Sequence, residues 1–391
     1  MTTKRIITDY IADCIDNFPS VAILGPRQIG KTTMARTIAK NFAESVYLDL
    51  ERPSDIAQIK DPEIYFDEHI GKLIILDEIQ RFPDLFPIMR GTIDRRRMDG
   101  YRTGQFLFLG SASTELLRQT SESLAGRIVY TELSGFSALE VDDTDHKLWL
   151  RGGFPDSFLS KSDVHSLTWR NSFISTYLER DIPQMGVSIP ADTLRNLWTM
   201  LAHLQGSILN TSTLALNMSL SVPTINRYLA ILSDLFLIRL LKPYYANVGK
   251  RLIKSPKIYV RDSGVAHALL KISSFSDLLA HPVVGGSFEG FVIENILSTI
   301  STTSITSWYY RTSDGAEIDL LLTYPGGKKI GIEIKLSTAP KLPRGFYTAY
   351  DDLKLDKAYI VYPGKDRYPI TENIEVIGLK DMLQVLRDDK D

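Results

Sequence analysis

The 391-residue chain carries 45 Lys and Arg against 47 Asp and Glu, and its 44% apolar content is that of an ordinary globular protein, which excludes wholesale disorder. A net charge of −2 excludes a globally basic nucleic-acid binder, so any such binding has to come from local patches. The single thiol, Cys14, excludes an internal disulfide framework and a multi-cysteine zinc or iron–sulfur site.

The opening stretch MTTKRIITDYIADCIDNFPS is charged throughout and lacks the apolar core of a signal peptide. No segment has the run of uncharged apolar residues that a spanning helix needs, so the expectation is a cytoplasmic protein without membrane contact. Residues 1–135 alternate apolar runs with amphipathic stretches, which predicts an α/β unit with a largely parallel sheet. Val21–Leu24, Ser45–Leu50, Leu73–Leu76 and Phe106–Gly110 are its expected buried strands.

Between the first of these strands and a helical stretch lies Gly25-Pro26-Arg27-Gln28-Ile29-Gly30-Lys31-Thr32, a complete G-x-x-x-x-G-K-[ST] loop continued by Thr33. Its glycines let backbone N–H groups turn toward phosphates, and the following helix presents its positive end to them. Lys31 is expected at the β- and γ-phosphates of ATP, with the Thr32 hydroxyl on Mg²⁺. The strand LIILDE then ends in Asp77, a candidate Mg²⁺ holder through water, and Glu78, a candidate base for the attacking water.

These motifs resemble the AAA-type P-loop ATPases. The resemblance implies that Ser111, at the end of QFLFLGSAS, senses the γ-phosphate, although Asn is commoner there. It also implies that Arg127 of SLAGR acts as an arginine finger on the nucleotide of a neighbouring subunit. The active form is then a homo-oligomer, with a hexameric ring as one such form. RGGFP at 151–155 is similar to an adenine-proximal Gly-x-Pro element of signal-transducing P-loop ATPases and equally readable as a turn joining two helices.

Residues 208–232 read as helix, short turn, helix, with Thr211 or Ser212 capping the first helix and Ser221 with Pro223 starting the second. Leu214, Leu216, Ile225, Leu229 and Leu232 form the expected inward stripe, leaving Thr224, Asn226 and Arg227 exposed as on a recognition helix. Two extended segments follow as the wing of a winged helix. Arg239, Lys242, Lys250, Arg251, Lys254, Lys257 and Arg261 lie there beside Tyr244 and Tyr245, a mixture suited to duplex or branched DNA.

In the last segment, strand alternation puts Glu317 and Asp319 on one face, and Glu333 and Lys335 on one face of the next strand. A hairpin of these strands gathers Asp319, Glu333 and Lys335 into a pocket able to hold Mg²⁺ or Mn²⁺ and orient an attacking water. With Glu289 as the helical acid, preferred over Glu294, this resembles the PD-(D/E)xK nucleases. The chain as a whole resembles a bacterial and archaeal ATPase family that joins an AAA-type module to a C-terminal domain long labelled as of unknown function. Its marks are GPRQIGKTT, LDEIQ, SLAGR, GGFP, YLERDI, FEGFVIEN, EIDLLL and EIKLS.

The expected organisation is therefore an α/β P-loop ATPase domain (1–135), a helical lid (136–200), a winged helix (201–281) and a restriction-endonuclease-like α/β domain (282–391). The expected function is ATP-driven DNA processing with a candidate metal-dependent nuclease site. The alternative is an ATP-gated signalling switch whose nuclease fold is inert and serves partner binding.

Overall fold

A computed structural model describes residues 3–111, 124–143, 146–184, 189–245 and 251–389. It divides into two compact units, the first formed by the chain up to Ser134 together with Asp234–Phe236 and the second by the remainder.

The first unit is built on five strands: β1 (Ser20–Leu24), β2 (Ser45–Asp49), β3 (Leu73–Asp77), β4 (Phe106–Gly110) and β5 (Ile128–Glu132). They lie in the order β2-β3-β4-β1-β5, and every neighbouring pair is parallel. β1, β3 and β4 are buried along their whole length, which explains their unbroken apolar runs: a strand covered on both faces has no solvent side to mark with polar residues. The carboxyl ends of β1 and β3 carry the P-loop and the Asp77-Glu78 pair. An open parallel sheet places its ligands outside its carboxyl edge, where loops enter helices.

The second unit begins with helices and passes through Thr211–Met218 and Val222–Asp234 to an antiparallel pair, β6 (Ile238–Leu241) and β7 (Lys257–Val260). Asn210, rather than Thr211 or Ser212, caps the first of these two helices by accepting from the Thr213 N–H. Ser221 caps the second through the Thr224 N–H. Leu216 departs from the expected stripe and is 79% exposed, because two positions past Leu214 a helix has turned about 200°. Ala215, beside Leu214, takes the inward position instead.

The chain closes with the helix Val284–Thr299 and a six-stranded sheet. Its strands are β8 (Thr306–Arg311), β9 (Glu317–Thr323), β10 (Lys329–Ile334), β11 (Lys357–Tyr362), β12 (Tyr368–Thr371) and β13 (Ile374–Gly378), in the order β12-β13-β11-β10-β9-β8. β9 and β10 form the expected antiparallel hairpin, β10 and β11 run parallel, and the Val284–Thr299 helix buries Val292, Ile293 and Ile296 in the core that includes Ile330 and Ile332. Among the described residues no helix is long and apolar enough to cross a membrane.

Candidate functional site

The P-loop leaves β1 and enters the helix Lys31–Ala39 at Gly30, whose φ of 99° is a left-handed conformation open to glycine at little cost. No side chain caps this helix, so its first backbone N–H groups remain available to an anion. Lys31 is buried, with Nζ donating to the Gly25 carbonyl at 2.8 Å and the Pro26 carbonyl at 2.9 Å. Burial pushes its pKa down to about 8 against the opposing pull of Glu78 and Asp77. Gln28 also adopts a positive φ, Ile29 is buried, Arg27 pairs with Glu51 at 3.1 Å, and Thr33 is exposed.

Thr32 Oγ1 donates to Asp77 Oδ2 at 2.7 Å, which brings the two expected Mg²⁺ holders together across neighbouring elements. Because the hydroxyl proton is committed to Asp77, its oxygen lone pairs remain for a cation, and the donor set is one of hard oxygens suited to Mg²⁺. Tyr47 also donates to Asp77 Oδ2 at 2.7 Å. Sequence reasoning did not single it out, and only its position on a strand that pairs with β3 could have pointed to it. Burial and the Asp77 charge raise the Tyr47 pKa, so this hydroxyl stays a donor.

Glu78 sits in the left-handed region at φ 56°, a strained position for a residue with a Cβ. Ser111 Oγ donates to Glu78 Oε2 at 3.0 Å, and Gln80 donates to the same oxygen and, at 3.2 Å, to Ser111 Oγ. Gln80, within LDEIQ but given no role from the sequence, thus completes a three-residue cluster that fixes the Glu78 carboxylate. Arg127 forms a two-pronged pair inside the chain, Nε to Asp94 Oδ1 and Nη2 to Asp94 Oδ2, both at 2.8 Å. Its guanidinium is thereby occupied by Asp94.

In the second unit the Gly152-Gly153 turn closes on a carboxylate. Gly153 N donates to Asp262 Oδ2 at 2.7 Å, and a Cβ at Gly152 would lie 2.0 Å from Asp262 Oδ1. That contact accounts for the glycine without a ligand.

The basic segment is less available than its composition suggested. Arg239 and Arg261 both bind Glu294, and Lys257 is buried. Lys242, Arg251 and Lys254 remain exposed with Tyr245, as do Asn226 and Arg227 on the preceding helix; Thr224 is half-buried. Lys250 lies outside the described residues.

Asp319, Glu333 and Lys335 are held by the β9–β10 hairpin, with Asp319 Oδ2 accepting from the Ile334 N–H at 3.0 Å and Lys335 Nζ pairing with Glu333 Oε1 at 2.7 Å. Glu289 joins them while Glu294 faces the two arginines, which separates the two candidate helical acids. Lys257 Nζ stands among the carboxylates, 2.9 Å from Glu289, 3.0 Å from Glu317 and 3.1 Å from Asp319. Tyr259 donates to Glu289 at 2.6 Å. Burial and the neighbouring Asp319 charge push Glu289 up to about 7 and Glu333 up to about 8. Burial works against the Lys257 charge, yet Asp319 and Glu289 hold its pKa well above the ordinary ammonium value. None of Lys257, Glu317 and Tyr259 was expected in this pocket.

Family comparisons agree with the P-loop geometry. A model of the AAA domain matches residues 17–141, and two domains of unknown function follow, DUF8612 over 143–276 and DUF4143 over 284–382. Uncharacterized proteins of Mycobacterium tuberculosis and Mycobacterium bovis are each 42% identical over 366 residues, covering 93% of this chain and 81% of theirs. A solved Walker-type ATPase of Pyrococcus abyssi is similar in fold, with a TM-score of 0.50 at 14% identity over 69% of this chain and 96% of its own.

Proposed function

The chain belongs to the family of these mycobacterial proteins, an AAA domain followed by two domains of unknown function, and from that premise we propose that it hydrolyses ATP to act on duplex or branched DNA. The observation that carries the ATPase reading is the Thr32–Asp77 hydrogen bond beside buried Lys31, since it joins phosphate contact and cation holding in one place. Lys31 gives up the Gly25 and Pro26 carbonyls to bind the β- and γ-phosphates. Thr32 and Asp77 hold Mg²⁺, which offsets phosphate charge when bound. Glu78, fixed by Gln80 and Ser111, orients the attacking water and takes its proton. Arg127, once released from Asp94, serves the nucleotide of a neighbouring copy in a homo-oligomer.

The DNA reading rests on the second unit. The capped helix pair and the β6–β7 strands are read as a winged helix, with Asn226 and Arg227 facing outward on the second helix. Lys242, Arg251 and Lys254 supply phosphate contacts and Tyr245 a stacking surface. Measuring DNA affinity against salt tests this. Replacing Arg251 and Lys254 with Ala is expected to reduce the log–log salt slope by about 2, at roughly 0.9 per phosphate contact. An unchanged slope contradicts the assignment.

We read the C-terminal module as a PD-(D/E)xK-like fold. The burial of Lys257 among its carboxylates favours a fold that does not cut, which leaves the ATP-driven action on DNA to the rest of the chain.

A further inference from the structure

An ammonium group removed from water costs several kcal/mol unless its three N–H donors are matched, so a buried lysine identifies its partners with unusual clarity. Lys257 begins β7 with a side chain only 3% exposed. Its Nζ donates to Glu289 of the helix at 2.9 Å and to Asp319 of β9 at 3.1 Å, and forms an ion pair with Glu317 of β9 at 3.0 Å. Two residues along the same strand, and so on the same face, Tyr259 donates to the Glu289 oxygen that Lys257 also uses.

A divalent cation demands the same oxygens. Mg²⁺ and Mn²⁺ take about six oxygen ligands and bind them much closer than an ammonium does, roughly 2.0–2.1 Å for Mg²⁺. A nitrogen about 3 Å from each of these three carboxylates stands where a cation shared by that set has to be. The other Asp319 oxygen accepts the Ile334 N–H, and Glu333 Oε1 is held by Lys335. The acidic set therefore does not fit a metal while Lys257 is in place.

We propose that Lys257 is the resident cation of this acidic pocket, replacing the divalent ion that a nuclease-like fold leads one to expect and tying β7 to β9 and the Val284–Thr299 helix. Removing its charge turns Glu289, Glu317 and Asp319 into a divalent-cation site. The adjoining Glu333 Oε2, buried and with no hydrogen-bond partner among the described residues, is the next available ligand. The inference stands whether or not the chain engages DNA.

Mn²⁺ titration of the full-length, nucleotide-free chain, followed by electron paramagnetic resonance, tests it. Wild type is expected to bind no Mn²⁺ that is sensitive to Asp319→Asn. Lys257→Met is expected to bind one ion per chain and to lose it again when Asp319→Asn is added. Should Lys257→Met fail to fold, Lys257→Met with Glu317→Gln carries less excess charge and keeps Glu289 and Asp319 as ligands. Mn²⁺ bound to wild type and abolished by Asp319→Asn overturns the proposal. So does a folded Lys257→Met chain, verified by circular dichroism and retained ATP turnover, that gains no ion.

Discussion

Thr32 Oγ1 donates to Asp77 Oδ2 at 2.7 Å, linking the first turn of the P-loop helix to the end of β3. Tyr47 reaches the same carboxylate oxygen from β2, so Asp77 is fixed from two sides before any nucleotide arrives. An arrangement set in advance avoids the cost of ordering these groups on binding. Tyr47→Phe is expected to leave the fold intact and weaken Mg²⁺-dependent nucleotide binding by about 1 kcal/mol, the net worth of such a bond. Calorimetric titration with and without Mg²⁺ checks this, and an equal loss in both conditions contradicts it.

Nucleotide affinity should depend on pH through Lys31. Its pKa in the free protein is lowered to about 8, chiefly by burial. The phosphates require the charged form, so above pH 8 binding must take up a proton. The dissociation constant is then expected to rise toward tenfold per pH unit above 8 and to be flat below it. A flat profile up to pH 9.5 argues against Lys31 as the phosphate contact.

The Glu78 cluster separates binding from hydrolysis. Glu78→Gln is expected to keep ATP binding and lose about 10²–10⁴-fold in turnover, the range of a general base. Gln80→Ala, which frees the Glu78 carboxylate without removing it, is expected to cause a smaller loss in kcat with KM unchanged. Single-turnover kinetics distinguishes the two, and a loss of nucleotide binding in either variant contradicts the assignment.

Arg127 offers a test of assembly. Its pair with Asp94 is partly exposed, so breaking it is expected to cost no more than about 1 kcal/mol of stability. If Arg127 serves a neighbouring copy, Arg127→Ala lowers turnover by orders of magnitude and Asp94→Ala does not. Matching effects of the two variants on turnover reduce the pair to a structural contact.

The acidic pocket is expected to make stability fall as pH rises. Glu333 has its pKa raised to about 8, first by burial and then by Asp319. A carboxyl with a raised folded-state value binds its proton more tightly when folded. Its contribution is therefore fully present below about pH 4 and lost as pH rises through about 8. Glu333→Gln is expected to be more stable than wild type at pH 9 by roughly 1–3 kcal/mol, with the advantage vanishing near pH 5. Denaturant unfolding at the two pH values measures it. The opposite ordering places a favourable charge at Glu333.

The elements legible in the sequence were those whose pattern is local. The P-loop strand and helix, the apolar runs of β3 and β4, and the pairing of Glu317 with Asp319 follow from periodicity and turn chemistry alone. Residues joined across distant segments were not legible. Tyr47 meets Asp77 through a strand neighbour, Asp94 meets Arg127 across the first unit, and Glu294 takes two arginines that composition alone assigned to DNA. Lys257 is the plainest case. It opens the short apolar strand KIYV as any strand-end lysine might, and only the tertiary fold buries it among acids drawn from far along the chain.

The most direct test of the account is phosphate release from ATP by the purified full-length chain, measured alone and with forked duplex DNA, beside Lys31→Ala. Mg²⁺-dependent turnover that DNA alters and that Lys31→Ala abolishes is the expected result. Absence of phosphate release in every condition, DNA included, contradicts it.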